Sequence, residues 1–398
     1  MSFNGPLDGY RVLEFGHMVM GPTCGLILAD LGAEVIKIEP QGTGDKTRQL
    51  GSFGTGFFCT YNRNKKSFAV DLKSDQGKQL VLELTQSADV VTENFREGTM
   101  EKLGLGYEEL KKVNPGLVYC SMRGFLKGPY EHRAALDEVV QMMGGLAFMT
   151  GPEGRPSRVG ASVNDIMGGM FGVIGILAAL LRRGDSDDGA LVKSGLFETC
   201  ALLMAQHVAT YLRTETPSKS LFERESQPWP VYDLFATREG NRIFVGLVTD
   251  GQWVSFCKKF GLNDWLEDPT LQNTQDRVIA RDRILKRLNE IFAAMDLATA
   301  EAQLDKVGCP FAPVARPEDL LGDRHLNESG GLLQVEIEPG KLGKIPNLPL
   351  QIDNQRPDLR LQPPRVGEHT RELVSALGHD VSVIDEYIES GVLSEDAR

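Results

Sequence analysis

Apolar and polar residues alternate in short blocks along the first third of the chain. Arg11-Val12-Leu13-Glu14-Phe15 reads as a strand, residues 16–21 as a loop, and Pro22 suits the first turn of a helix. Gly32 offers that helix a C-terminal cap, and Glu34-Val35-Ile36-Lys37-Ile38-Glu39 reads as the next strand. A strand, a helix and a second strand in this order form a βαβ unit, so the two strands lie parallel. The alternation continues with a strand over residues 67–72, a helix over 74–87 with Leu80, Val81 and Leu84 on its apolar side, and strands over 89–92 and 117–121. The expected fold class is α/β, with an open, parallel, Rossmann-like sheet in a larger domain.

The pattern then changes. Ile166 to Leu181 is a run of 16 residues without a charge, four of them glycines. A bilayer span needs about 20 such residues, so the run is expected to be a buried helix. Glycine costs about 1 kcal/mol in a helix interior relative to alanine. Gly168, Gly169, Gly172 and Gly175 therefore predict a close neighbour on one face. A further helix is expected over 197–212, followed by a proline-rich stretch over 215–230 that reads as a crossing segment or a mobile loop. A smaller α+β domain follows, with a strand over 243–248 and helices over 251–260, 277–294 and 299–307. Residues 332–361 read as polar and extended, and a last helix is expected over 370–377. The resulting domains are 1–210, completed by 326–398, then a linker over 211–224 and a small domain over 225–325.

Composition narrows the function. The net charge of −12 in 398 residues, without a run of Lys and Arg, opposes binding to a phosphate backbone, so no nucleic-acid partner is expected. Residues 1–8 lack the features of a signal peptide, and the six cysteines stand singly, so a cytoplasmic protein with free thiols and no membrane partner is expected. The six histidines form no H-x-x-x-H pair, and G-x-G-x-x-G after the first strand, G-K-S/T and G-x-S-x-G are absent. Neither a metal nor a nicotinamide cofactor is expected.

One carboxylate stands out. Asp165 opens the glycine-rich helix, where it serves either as an N-cap or as a nucleophile whose oxyanion the free helix N–H groups would hold. Local sequence leaves both readings open. Lys37, Lys65, Lys66, Lys73, Arg96, Lys102 and Arg123 likewise either meet a pyrophosphate or form a solvated face.

Several separated blocks carry a family likeness. They are Leu13-Glu14-Phe15, Met20-Gly21-Pro22, the segment 31–39, Gly44-Asp45, Asn62-Arg63-Asn64-Lys65-Lys66-Ser67, Glu93-Asn94-Phe95-Arg96, the segment 114–119 and Ala178-Ala179-Leu180-Leu181-Arg182-Arg183. Together they resemble the class III CoA-transferases, the CaiB/BaiF-like family of formyl-CoA and carnitine CoA-transferases, over most of residues 7–210.

The resemblance implies that Asp165 is the catalytic aspartate and forms an aspartyl-CoA thioester as CoA moves from an acyl-CoA to a small carboxylic acid, with a dicarboxylic one expected. It implies CoA as a substrate, no permanently bound cofactor and an interlocked homodimer. By the same likeness Asn94, Phe95 and Arg96 lie around the adenine, Val70 and Lys73 at a strand end and turn, Lys102 and Leu103 at a further contact, and Val19 near the acyl group, with Asp137 also among the CoA-binding residues. Val19 stands where the formyl-CoA enzyme has a glutamine, and Leu136 where many members have a tyrosine, so acyl specificity is expected to differ. The related α-methylacyl-CoA racemases carry Gly-His-Asp where this chain has Ala135-Leu136-Asp137, and leucine cannot exchange a proton. A racemase whose second acid/base is His132, and a CoA-binding protein without catalysis, are the alternatives. Ser226-Gln227-Pro228-Trp229-Pro230 is a candidate acyl-side segment or a rigid linker.

Overall fold

The computed structural model describes residues 5–152, 154–184, 188–221 and 228–396. It contains two compact units, Met1–Leu221 with Arg324–Arg398, and Phe222–Asp323. The first unit carries β1 (Arg11–Phe15), β2 (Glu34–Glu39), β3 (Lys65–Val70), β4 (Val90–Glu93), β5 (Val118–Arg123) and β6 (Ala190–Gly195). The second carries β7 (Val231–Ala236), β8 (Arg242–Leu247) and β9 (Phe311–Pro313). The chain then returns through β10 (Leu332–Glu338) and β11 (Lys341–Pro346), and β12 (Leu393–Ser394) closes the first unit.

The seven-stranded sheet has the order β12-β3-β2-β1-β4-β5-β6, parallel except for β12, which pairs antiparallel with β3. Strand order reverses between β1 and β4, and in open α/β sheets ligands bind beyond the carboxyl ends of the strands at such a point. Strand periodicity sends Val12, Val35, Val90 and Val118 to one face and Leu13, Ile36, Phe68 and Val91 to the other, each under its own helices.

The helix Val163–Arg183 crosses one face against the helix Met20–Asp30. Its glycines let the backbones meet: a methyl group at Gly169 would lie 2.7 Å from the Met20 carbonyl oxygen and 3.0 Å from Thr23 Cβ. The helix is long and apolar enough to cross a membrane by length and composition, yet its glycine side packs within the first unit. Met170, Ile174 and Leu181 on its other side are exposed, so the expectation of a buried helix holds for one face only.

Several elements differ from expectation. β3 begins at Lys65, two residues early, because the buried Lys65 and Ser67 have polar partners that a hydrophobic pattern does not register. β6 was not anticipated, since its exposed positions break the apolar run. The helix expected over 197–212 is two, Leu196–Leu203 and Ala205–Thr214, and that over 277–294 breaks at Ala280 into Thr274–Ile279 and Arg281–Ala293. The stretch 332–361 contains the β10–β11 hairpin, turned at Gly340 with φ of 76°. A helix over Val381–Glu389 follows Thr370–Ala376. In the second unit, the antiparallel sheet β7-β8-β9 packs on helices around Trp253, Phe256 and Phe292.

Candidate active site

The helix that bears Asp165 begins one turn earlier than the charge-free run suggests. Its N-cap is Ser162, which makes no side-chain capping bond, and Asp165 occupies the third helical position. The N-cap reading of Asp165 is therefore corrected. The capping oxygen comes from another helix: Asp137 Oδ1 accepts the backbone N–H of Asn164 at 2.8 Å and that of Asp165 at 3.3 Å. These N–H groups are engaged by a carboxylate, so they are not the free oxyanion donors that the sequence suggests.

Asp137 opens the helix Asp137–Met143 and is only 3 % exposed. Its other oxygen accepts from Gln141 Nε2 at 2.5 Å, and Gln141 Oε1 accepts the Val159 N–H at 2.9 Å. This polar chain ties the segment preceding the long helix to the carboxylate that caps it. Arg158, beside Val159, pairs with Glu138.

The Asp165 side chain is half-buried and no described donor binds its carboxylate. Burial, then the negative charges of Asp137 and Glu138, push its carboxyl up to about 7, while Arg158 pulls the other way. Tyr61 faces the same field: burial, then the Asp165 charge, raises its hydroxyl above the usual phenol range. Tyr61, Glu138, Gln141 and Arg158 were not singled out from sequence. The only local signal was the acidic pair Asp137-Glu138 at a helix start, and the polar chain linking these residues spans separate segments.

The remaining expected residues divide into groups. At the strand-order reversal, the Asn94 amide brackets His17: its Oδ1 accepts the His17 N–H and its Nδ2 donates to the His17 carbonyl, both at 2.9 Å. The His17 ring stacks on Phe95 at 5.3 Å, and burial lowers the imidazole's proton affinity. Val19, 2 % exposed, lies in the same turn. Arg96, Lys73 and Lys102 are exposed, and Leu103 is half-buried. Val70 packs into the core beside β12, and its side chain is 1 % exposed.

Lys37 and Lys65 belong to neither a phosphate site nor a solvated face: both are fully buried in ion pairs. Arg123 pairs with Glu93 at 2.8 Å, and Lys66 with Glu34 at 2.8 Å. Ser226 and Gln227 lie outside the described residues, while the Trp229 ring packs on Tyr232 at 5.1 Å. All six cysteines are buried free thiols, and among the described residues no three His, Cys, Asp or Glu side chains gather in a metal-binding group.

In a protein with a Rossmann-ordered sheet, a carboxylate without a partner among the described residues, set beside a second, buried carboxylate, forms a candidate site suited to carboxylate chemistry. The family model of CoA-transferase family III matches residues 7–370, and the chain belongs to that family. It is similar to the succinyl-CoA:glutarate CoA-transferase of Mus musculus, 32% identical over 98% of this chain and 91% of the relative. The succinyl-CoA–D-citramalate CoA-transferase of Chloroflexus aurantiacus is 33% identical over 94% of each chain. Among solved structures, a CaiB/BaiF family protein from Brucella suis superposes with a TM-score of 0.84 at 30% identity, covering 94% of this chain and 100% of that one. The protein is an enzyme of the CoA-transferase class.

Proposed function

We propose that this enzyme moves CoA from an acyl-CoA to a small dicarboxylic acid through a covalent intermediate on Asp165. The observation that carries the reading is the Asp165 carboxylate itself, free of ion pairs among the described residues and pushed up to about 7 by burial and by Asp137 and Glu138. A carboxylate of that basicity is a better nucleophile than an ordinary, ion-paired one. Relatives named for glutarate and D-citramalate transfer support a dicarboxylic acceptor.

An Asp165 oxygen attacks the donor thioester carbon and CoA leaves as the thiolate, giving a mixed anhydride. The thiolate then attacks the Asp165 acyl carbon, releasing the donor acid and leaving an aspartyl-CoA thioester. A carboxylate oxygen of the acceptor attacks that thioester and expels the thiolate. The thiolate next attacks the acceptor carbonyl of the second anhydride, and Asp165 leaves as the carboxylate. Each step exchanges one acyl bond for another with no net proton, so CoA held in place between steps provides the orientation advantage of an intramolecular reaction.

Val19, Val70, Lys73, Asn94, Phe95, Arg96, Lys102, Leu103 and Asp137 are the proposed CoA-binding residues, with Val19 near the reacting acyl group. We further propose a cytoplasmic homodimer. Its support is the six unpaired thiols and the helix Ala205–Thr214, which buries none of its residues and leaves Val208, Tyr211 and Leu212 exposed. The racemase alternative has less support: His132 is exposed and paired with Glu97 at 2.5 Å, and Leu136 precedes Asp137.

The test is peptide mass spectrometry after incubation with succinyl-CoA, followed by hydroxylamine. An adduct on the Asp165 peptide, lost in Asp165→Ala, is the expected result. No adduct with succinyl-, acetyl- or formyl-CoA, alongside α-proton exchange on a 2-methylacyl-CoA, would replace this reading with racemisation.

A further inference from the structure

Beneath the turn 16–22 lie charged side chains that acyl exchange does not use. Glu14 on β1, Lys37 on β2 and Lys65 on β3 have fully buried side chains, and that of Asp45 is 1% exposed. Lys65 Nζ lies 2.6 Å from Glu14 Oε2, and Lys37 Nζ lies 3.2 Å from Glu14 Oε1 and 2.8 Å from Asp45 Oδ2. Two cations thus meet two anions. Buried ion pairs seldom add stability beyond what apolar residues of the same size supply, so their presence calls for another reason.

Beyond these ion pairs and a bond from Lys65 Nζ to Asn62 Oδ1 at 3.1 Å, each ammonium group makes one bond to the backbone, and these supply a reason. Lys37 Nζ donates to the Gly16 carbonyl at 2.8 Å, and Lys65 Nζ donates to the Pro22 carbonyl at 3.0 Å. Both ends of the turn are therefore held by cations that share the Glu14 carboxylate. Between them, Met18 has a φ of 63°, a left-handed conformation that non-glycine residues rarely adopt. The carboxylate fits because Gly25 lacks a side chain: a methyl group there would lie 1.7 Å from Glu14 Oε2. Within this segment Met20, the first residue of the helix Met20–Asp30, meets the first turns of the Asp165 helix, where a methyl group at Gly168 would lie 2.5 Å from Met20 Cε.

We infer that Glu14, Lys37 and Lys65 form a buried clasp that positions the turn 16–22, with Val19, against the helix carrying Asp165, and so act as positioning residues for CoA transfer. The catalytic part of this inference rests on the role proposed for Asp165. The clasp itself is a statement about the order of the turn and can be tested separately.

The experiment uses the full-length Glu14→Met/Lys65→Met variant, which removes one charge of each sign and leaves Lys37 with Asp45. Two readouts are compared with wild type: amide hydrogen exchange of the peptide spanning 16–22, and the single-turnover rate of Asp165 adduct formation at saturating succinyl-CoA. Expected are an unchanged far-UV spectrum, exchange in that peptide faster by about tenfold, and adduct formation slower by about 10- to 100-fold. In steady state kcat falls by more than KM rises. Exchange and adduct rate both at wild-type values would overturn the inference, as would faster exchange with an unchanged rate. If the double variant does not fold, Gly25→Ala displaces the Glu14 carboxylate and is judged by the same readouts. If wild-type protein forms no adduct with any donor, the reading of Asp165 fails, while the exchange measurement still decides whether the clasp orders the turn.

Discussion

The Asp137 carboxylate caps the helix that carries Asp165, accepting the N–H of Asn164 at 2.8 Å and that of Asp165 itself at 3.3 Å. One buried anion thereby fixes the backbone of the proposed nucleophile and, together with burial, raises the basicity of its side chain. The same side chain therefore acts on Asp165 both through hydrogen bonds to the backbone and through its charge.

Asp137→Asn separates the two roles. It keeps an oxygen able to cap and removes the charge, so the Asp165 carboxyl moves down from about 7. The acidic limb of the pH profile for adduct formation is expected to shift to lower pH, with a lower melting temperature because the Asn amide NH2 would face the Gln141 Nε2 donor. Asp137→Ala shifts the limb in the same direction and also costs about 1 kcal/mol for the lost cap. Stopped-flow acylation across pH 5 to 9, with urea melts of both variants, checks the pair.

Arg158 acts in the opposite sense. Its positive charge lowers the Asp165 carboxyl against the effect of the two acids, so Arg158→Leu moves the same acidic limb to higher pH. The Asp137→Asn/Arg158→Leu double variant should fall between the singles. A profile that does not move in Arg158→Leu would show that the guanidinium does not act on Asp165 in solution.

The raised Asp165 carboxyl also affects stability. A carboxyl whose folded value is about 7 against an ordinary 3.8 holds its proton more tightly when folded, so its contribution is fully favourable below about pH 4 and is lost as pH rises through 7. Asp165→Asn should therefore be more stable than wild type at pH 8, by about 2 kcal/mol after discounting for a half-buried group, and the gap should close near pH 4. Urea denaturation at the two pH values measures it; equal stability at pH 8 would contradict the raised value.

Gly169→Ala tests the contact between the two packed helices. Helix propensity alone predicts a gain of about 1 kcal/mol. The added methyl group would lie 2.7 Å from the Met20 carbonyl oxygen, a backbone atom with little freedom to give way. The net expectation is a loss of about 1–3 kcal/mol from overpacking, read as a lower melting temperature by calorimetry.

The parallel sheet was legible because β1, β2, β4 and β5 are covered on both faces, so each carries short adjoining apolar pairs such as Val12-Leu13, Val35-Ile36 and Val90-Val91 even where charges are buried beside them. The start of β3 was less legible because Lys65 and Ser67 are buried by virtue of partners on other elements, Glu14 and Glu39. The break between Leu196–Leu203 and Ala205–Thr214 falls inside a continuous helical pattern, and periodicity carried the expected helix across it. At the site, Asp165 was visible as one carboxylate at the start of a glycine-rich run. Its cap was not, since Asp137 lies on another helix, and capping by a distant residue leaves no local spacing to read.

By itself, the sequence determined the α/β class, the glycine face of the long helix and the identity of its carboxylate, because strand and helix periods and glycine's lack of a side chain act over a few neighbouring residues. Only the tertiary structure decided which charges are buried together, that Glu14 serves two lysines, and that Asp137 rather than Asp165 caps the helix. Electrostatic energy and hydrogen bonding depend on distance in space and on exclusion of water, and neither is set until strands and helices far apart in the chain have packed.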